Sequence, residues 1–444
     1  MIRPALIALA LVLPPTLGAQ RYAFVNVNVI PMDRETVLRD QTVVVENGMI
    51  TAVGPSASTT VPSGATRIEA RGRYLMPGLA EMHAHVPGGQ AQQYTENVLF
   101  LYVASGITTV RGMLGAPAHL TMREQLLNNQ LMGPRLWTSG PSVNGNSVPT
   151  ADSAARTPAF QQSQGYDLIK IHPGLSLEAF NALDAAADQI NMPFAGHVPA
   201  AVGVRRAIAA GYASIDHLDG YVEAAAGATS GGWFGVGVAP QVNPATLQEL
   251  VRLTAVAGVW NVPTQTLMET YASDATADEW AARHPEIRYV PAQQRQQWLN
   301  TKTTWRNADI PMAQRAHWMQ VRRQLIRDLY RETGRVLLGS DAPQIFNVPG
   351  FSTLWELETY IEAGLTPYEA LTTGTTAVAR YFGVSDRAGT VQAGRWADLI
   401  LLEANPLERI SNVRQQAGVM VRGRWMPKSE IDARLAQIAA EYAN

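Results

Sequence analysis

Cysteine is absent from the 444 residues. That excludes disulfides and lipid attachment at a thiol, and it restricts any bound metal to nitrogen and oxygen ligands. No run of basic residues occurs and the formal net charge is −2, so the electrostatic footprint of a nucleic-acid binder is missing. No apolar stretch reaches the roughly 20 residues that a membrane-spanning helix needs. A glycine-rich phosphate loop after a strand is missing as well. Charged residues are 16% of the chain and hydrophobic ones 46%, the balance of a packed globular protein rather than a disordered one.

The opening stretch, "MIRPALIALALVLPPTLGAQ", reads as a secretory signal over residues 1–19. Arg3 supplies the positive end, Ala5 to Leu13 a short apolar core, and Gly18 and Ala19 the small residues before cleavage at Gln20. An uncleaved anchor is the alternative. Export without disulfides fits a bacterial periplasm or the surrounding medium. The expected partner is a small-molecule substrate, with no nucleic acid and no membrane once the signal is removed.

Residues 20–74 carry strand patterns: "YAFVNVNVI" alternates, and "TVVVENGMITAVG" holds an Asn47-Gly48 hairpin signal. Residues 388–428 repeat the pattern in "GTVQAGRWADLILLEA" and "GVMVRGRWM". The two ends are expected to join in one small β-domain, followed by a helix over 429–444. Between them, residues 75–387 alternate apolar strands with helical runs such as "SLEAFNALDAAADQI". Eight candidate strands predict an α/β fold, a (β/α)8 TIM-like barrel with its site at the C-terminal strand ends; a doubly wound open sheet is the alternative. Two segments exceed normal connections. Residues 221–240 and 268–334 are rich in aromatics, and they form either a lid and binding walls or ordinary packing and a subunit interface, which would make the chain a homo-oligomer.

The chain has only eight histidines, yet "GLAEMHAHV" puts His83 and His85 one residue apart, on one face of a strand. Alone, the pair is either a metal-ligand pair or two satisfied polar residues. Further polar residues fall at the ends of other candidate strands: Lys170, His197, His217 and Asp341. Four imidazoles and a carboxylate suit two divalent metals that still need a bridge. Lys170 sits among apolar residues in "DLIKIH". Burial beside two cations depresses a lysine's pKa, and the free amine then captures CO₂ to give a bridging carbamate; the alternative is a structural salt bridge.

The stretches "LMPGLAEMHAHV", "SGITTVRGM", "YDLIKIH", "FAGHVP", "SIDHLDG", "LLGSDA" and "GTVQAGRWADLILLEANPL" resemble the amidohydrolase superfamily of metal-dependent hydrolases, in its imidazolonepropionase-like and Xaa-Pro dipeptidase-like branch. The resemblance implies a distorted barrel with a small β-sandwich built from both chain ends. It implies His83, His85 and Asp341 on one metal, His197 and His217 on the other, and carboxylated Lys170 between two divalent ions, with Zn²⁺ the expected metal. Relatives commonly carry "TTVRD" where this chain has Arg111-Gly112, so support of the site from that strand is expected to differ.

The activity implied is hydrolysis of an amide by a metal-bridging hydroxide, with Asp341 as general acid and base. His172, two residues after Lys170, is either a substrate contact in catalysis or structural. Tyr221 and Arg111 are candidate substrate contacts, Arg111 for a free carboxylate. Expected substrates are an N-acyl amino acid, an aromatic amide or a dipeptide. The competing activities are an Xaa-Pro dipeptidase, a lactonase or esterase, a mononuclear deaminase, and a non-catalytic periplasmic binding protein. His119, His284 and His317 read as packing or surface residues.

Overall fold

A computed structural model describes residues 20–443; the signal-like segment 1–19 lies outside them. The strands are β1 (Arg21–Val29), β2 (Leu38–Glu46), β3 (Met49–Pro55), β4 (Thr66–Glu69), β5 (Tyr74–Pro77), β6 (Leu79–Ala84), β7 (Ile107–Gly112), β8 (Arg135–Thr138), β9 (Ile169–Ile171), β10 (Phe194–Gly196), β11 (Ser214–Asp216), β12 (Trp260–Val262), β13 (Leu399–Leu402), β14 (Gln416–Val421) and β15 (Arg424–Pro427).

Asn47 and Gly48 both take positive φ, which makes the tight turn from β2 to β3; Arg422 and Gly423 do the same between β14 and β15. The sheet that these hairpins belong to runs β15-β14-β13-β5-β1-β2-β3, with β4 beside β1. Its middle seam joins the two halves of the sequence, since β5 pairs antiparallel with β13 from Leu75↔Leu401 to Pro77↔Leu399. The sheet curls on itself: Phe24 of β1 meets Trp425 of β15 edge to face at 5.2 Å, although four places separate those strands. Residues such as Phe24, Val43, Leu75, Leu399 and Leu401 form a fully buried core inside the curl. The ladders thus put strands from both chain ends in one curled sheet.

The remaining strands are parallel and mostly buried, with one face of β8 half-exposed at Arg135 and Trp137. They form two ladders, β6-β7-β8 and β9-β10-β11-β12. Isolated bridges at Ser139↔Leu168 and Val143↔Ile171 join β8 to β9. On the far side, β12 bridges Val336 from Asn261, and the Leu338 carbonyl accepts from Met82 N–H in β6 at 2.8 Å. The eighth predicted strand, "RVLLGSDA", makes no ladder of its own. Leu337 N–H does reach the Asn261 carbonyl of β12 at 2.9 Å, but Leu338 N–H goes to the Thr373 carbonyl and Ser340 N–H to the Glu81 carboxylate. A regular closed eight-stranded ladder is therefore not formed.

Helices cover the outside. Ser176 caps Leu177–Ile190 by accepting from Ala179 N–H, and Asn191 ends it in the left-handed region. None of the described helices is long and apolar enough to cross a membrane.

Phe24→Ala should empty the curled sheet's core and cost about 3–5 kcal/mol. A lowered urea midpoint checks it; an unchanged midpoint would show that the curl is not packed as described.

Candidate metal centre

The C-terminal ends of β6, β9, β10 and β11 and the segment after Leu338 converge on one space. His83 is fully buried, with Nε2 3.0 Å from Lys170 Nζ and 3.7 Å from Asp341 Oδ1. His85 Nε2 lies 3.0 Å from the same Asp341 oxygen. The His217 ring sits 4.5 Å from that of His83 and 4.4 Å from that of His197. His172 lies beside them, its ring 5.2 Å from His197. The structure thus brings together all six residues that the sequence pattern singles out as ligands.

Their orientations come from a shell of oxygen acceptors. Thr264 Oγ1 donates to the Pro263 carbonyl, so toward His217 Nδ1, 2.9 Å away, it acts as acceptor. That puts the His217 proton on Nδ1 and leaves Nε2 with a free lone pair. Asp219 Oδ2 orients His197 in the same way at Nδ1, 2.7 Å away. Asp216 approaches His83 Nδ1 at 2.8 Å, out of line for a hydrogen bond. Gly196 has φ +123°, and a Cβ there would meet the Ile171 carbonyl at 2.5 Å and the Lys170 side chain at 2.8 Å. Only glycine lets β10 lie this close to Lys170.

Burial sets the charges. It holds His83, His197 and His217 well below the ordinary histidine range and lowers His85 and His172 to about 3, with Lys170 adding to each shift. Burial also lowers Lys170 itself, to about 8, and pushes Asp341 well above the usual carboxylate range. Neutral imidazoles are the form that binds metal, and a lowered lysine pKa raises the fraction of free amine open to CO₂.

A cation fits this donor set. Ligand atoms of His83, His217 and Asp341 all lie within 4.8 Å of one another. His217 Nε2 and Asp341 Oδ1 are buried with no hydrogen-bond partner among the described residues, His85 Nε2 standing 3.0 Å from the latter but out of line for a bond. Buried polar atoms without partners are costly, and a metal would satisfy both. Strain marks the same place: His217, Leu218, Thr264 and Asp341 all take positive φ.

The amidohydrolase family matches residues 74–426, most of the chain. The chain belongs to the amidohydrolase family. The enamidase of Eubacterium barkeri is 35% identical over 79 residues, 17% of this chain and 20% of that protein. The match thus spans about a fifth of that curated relative's length. Among solved structures, a bottromycin amidohydrolase superposes with a TM-score of 0.72 at 22% identity, covering 95% of this chain and 90% of that one. An Xaa-Pro dipeptidase with methionine in its active site gives 0.66 at 19% identity, covering 92% and 100%. These likenesses show a shared amidohydrolase fold of the TIM-barrel type.

Two predicted substrate contacts are corrected by the structure. Tyr221 is fully buried, and its hydroxyl pairs with Thr254 Oγ1 at 2.7 Å, inside the packing between two helices. Arg111 is fully buried too, and its donors are taken by the Met82 carbonyl, Ser214, Tyr381 and both Asp216 oxygens. It holds β6, β7 and β11 together. His119 is a packing residue, bonded to Thr138 and to the Val86 carbonyl; His284 stacks near Trp355, and His317 is exposed.

Sequence reasoning missed four residues. Asp216 and Asp219 flank His217 in "SIDHLDG", and their closeness to a histidine was the available signal. Thr264 had none. Glu81 lies two residues before His83, in the same strand. Its buried carboxylate accepts from His83 N–H (2.8 Å), Ser340 N–H (2.8 Å), Ser340 Oγ (2.6 Å) and Thr353 Oγ1 (2.8 Å).

Glu81→Ala should strand those donors and destabilise the fold by about 3–5 kcal/mol, at about 1–3 kcal/mol per unpaired group. Chemical denaturation checks this, and a loss under about 1 kcal/mol contradicts it. For His172 the sign is definite. Its folded pKa is depressed to about 3, so the unfolded chain takes up a proton below its ordinary value of 6.5 while the folded chain does not. That residue's contribution is present above pH 6.5 and lost as pH falls. The Tm of His172→Asn should therefore gain on the wild type between pH 6.5 and 4, and a pH-independent difference would refute the assignment.

Proposed function

We propose that the protein is an exported, binuclear metal-dependent hydrolase that cleaves an amide C–N bond. The observation that carries this reading is the convergence of four neutral imidazoles, Lys170 and Asp341 on one space, with His217 Nε2 and Asp341 Oδ1 left unpartnered there. His83, His85 and Asp341 would hold one ion, His197 and His217 the other, and carboxylated Lys170 would lie between. Zn²⁺ suits an all N/O donor set. The two parallel ladders, linked through Ser139, Val336 and Leu338, support one distorted (β/α)8 barrel, and the curl of the chain-end sheet supports a small sandwich beside it.

When bound, the ions supply Lewis acidity toward the carbonyl and acidify water. The chain's own groups do the rest. Water's oxygen adds to the amide carbon, and the C–N bond breaks as the nitrogen gains a proton. Asp341 is placed to take the proton from water and return it to that nitrogen, and burial that favours its protonated form suits the return step. His172, beside His197 and partly exposed, is placed to meet the substrate.

A cavity of about 590 Å³ opens beside His197, a size that takes small-molecule substrates. Trp233 and Phe234 among its walls favour an aromatic amide. The dipeptide reading loses its carboxylate-binding arginine, since Arg111 is fully engaged.

Protein made with bicarbonate should carry about two metals per chain by elemental analysis, falling sharply in Lys170→Ala. One metal or none, unchanged by the substitution, overturns the binuclear centre. Asp341→Asn should lower amide turnover by about 10²–10⁴-fold. Turnover within a few-fold of the wild type removes Asp341 from the proton path.

A further inference from the structure

The cavity beside His197 has a chemistry of its own. One of its walls comes from the insertion 221–240, through residues between 223 and 234. Helix Tyr221–Ala225 turns its two faces to different uses: Tyr221 and Val222 pack inward, while Glu223 and Ala224 line the cavity. Two acidic side chains, Asp219 and Glu223, face this space, and no lysine or arginine lines it. Asp219 is already bonded to His197 and to Val198 N–H. The Glu223 carboxyl meets the backbone N–H groups of Gly220 and of its own residue, and no cationic side chain pairs with it among the described residues. The basic group whose charge bears on it, Arg322, gives its donors to Gln265, the His217 carbonyl and the Pro263 carbonyl.

The aromatic wall is built with care for position. Trp233 and Phe234 meet at 4.4 Å with planes 78° apart, so their rings form a corner. Phe234 takes φ +49°, an unfavourable value for a bulky side chain. Trp318 Nε1 donates to the Phe234 carbonyl at 2.9 Å, and Tyr271 and Trp305 buttress the Trp233 ring at 3.9 and 5.0 Å. Gly235, next along, lets the segment fold down onto the helix, since a Cβ there would stand 2.7 Å from Val222 and 3.1 Å from the Glu223 carboxyl carbon. Those contacts put the strained aromatic segment directly against the carboxylate-bearing turn. The Phe234 ring also lies 5.5 Å from His217 and 6.5 Å from His197, so the corner borders the metal centre.

We propose that this cavity is a subsite for an organic cation: Glu223 and the corner of Trp233 and Phe234 receive an ammonium group carried by the amide substrate. A carboxylate with perpendicular aromatic faces is the arrangement that attracts a desolvated ammonium, through charge and through the rings' negative faces. Burial already pushes the Glu223 carboxyl up from its ordinary value, as expected of an acid whose counter-charge arrives with a ligand. The subsite rests on the hydrolase reading above for its substrate, and it narrows that reading from aromatic amides in general to those bearing an amine. Substrates with a free carboxylate at this position are disfavoured by the two acids.

The test measures binding rather than turnover. On metal-loaded protein, the probes are benzyltrimethylammonium and benzyl alcohol, followed by quenching of tryptophan fluorescence and by calorimetry. A quaternary ammonium has no lone pair, so it has no means of ligating the metals. The wild type should bind the cation at least about 10-fold tighter than the alcohol, a difference of about 1.4 kcal/mol. Glu223→Gln should remove most of that preference and leave the alcohol's affinity within about 3-fold. Equal affinities in the wild type, no binding of either probe, or a preference that survives Glu223→Gln would each overturn the subsite. The wild-type comparison stands even where the variant folds poorly. Failure here leaves amide hydrolysis untouched, and absence of amide turnover leaves the binding result in force.

Discussion

The Glu81 carboxylate holds the centre together. It is fully buried, and it gathers the backbone of His83, the backbone and hydroxyl of Ser340, and the hydroxyl of Thr353. In doing so it ties strand β6, the segment that carries Asp341, and the helix Phe351–Glu362 to one point. Asp341 follows Ser340 directly, so one carboxylate outside the proposed ligand set positions both the acid and the strand that carries His83. Burial raises its pKa to about 6, while four hydrogen bonds pull the other way. A carboxylate that spends all its acceptors on fixed donors pins three segments more sharply than apolar packing would.

Arg111 does comparable work from the opposite side. Its guanidinium spans Met82, Ser214, Asp216 and Tyr381, with every donor matched. Asp216, neutralised in this way, stands against His83 Nδ1. The centre is thus framed by two long-range polar ties, and the imidazoles between them stay uncharged because the space is buried. Structure and chemistry share one cause: exclusion of water both costs the charged forms and leaves the ligand lone pairs free.

Much of this was legible in the residue order. The hairpin at Asn47-Gly48 needs positive φ at two successive positions, and that residue pair supplies it. The H-x-H spacing on an apolar run carried the first half of the centre, because strand alternation acts over two residues. What stayed hidden depends on partners far away in sequence. Tyr221 follows a ligand histidine, and only its contact with Thr254 reveals it as packing. Arg111 looked free for a substrate carboxylate until Asp216, 105 residues on, claimed it. The segment from Arg335 to Ala342 has the composition of a strand, yet only Leu337 N–H reaches β12, while Thr373 and Glu81 take the donors of Leu338 and Ser340. Periodicity reports which face is apolar, and it is silent on where each backbone donor ends.

The seam between β5 and β13 has a consequence for how the chain is made. Pairing of Tyr74–Pro77 with Leu399–Leu402 brings together segments from opposite halves of the sequence. During synthesis at about 5–20 residues per second, the β5 edge waits for its neighbour on the order of tens of seconds. Through that interval an apolar strand presents unpaired donors and acceptors to whatever is near, the situation in which sheet edges recruit foreign strands. The chain-end sheet is therefore a late product of biogenesis, and a holding factor that shields β5 until β13 emerges would raise the yield of native protein.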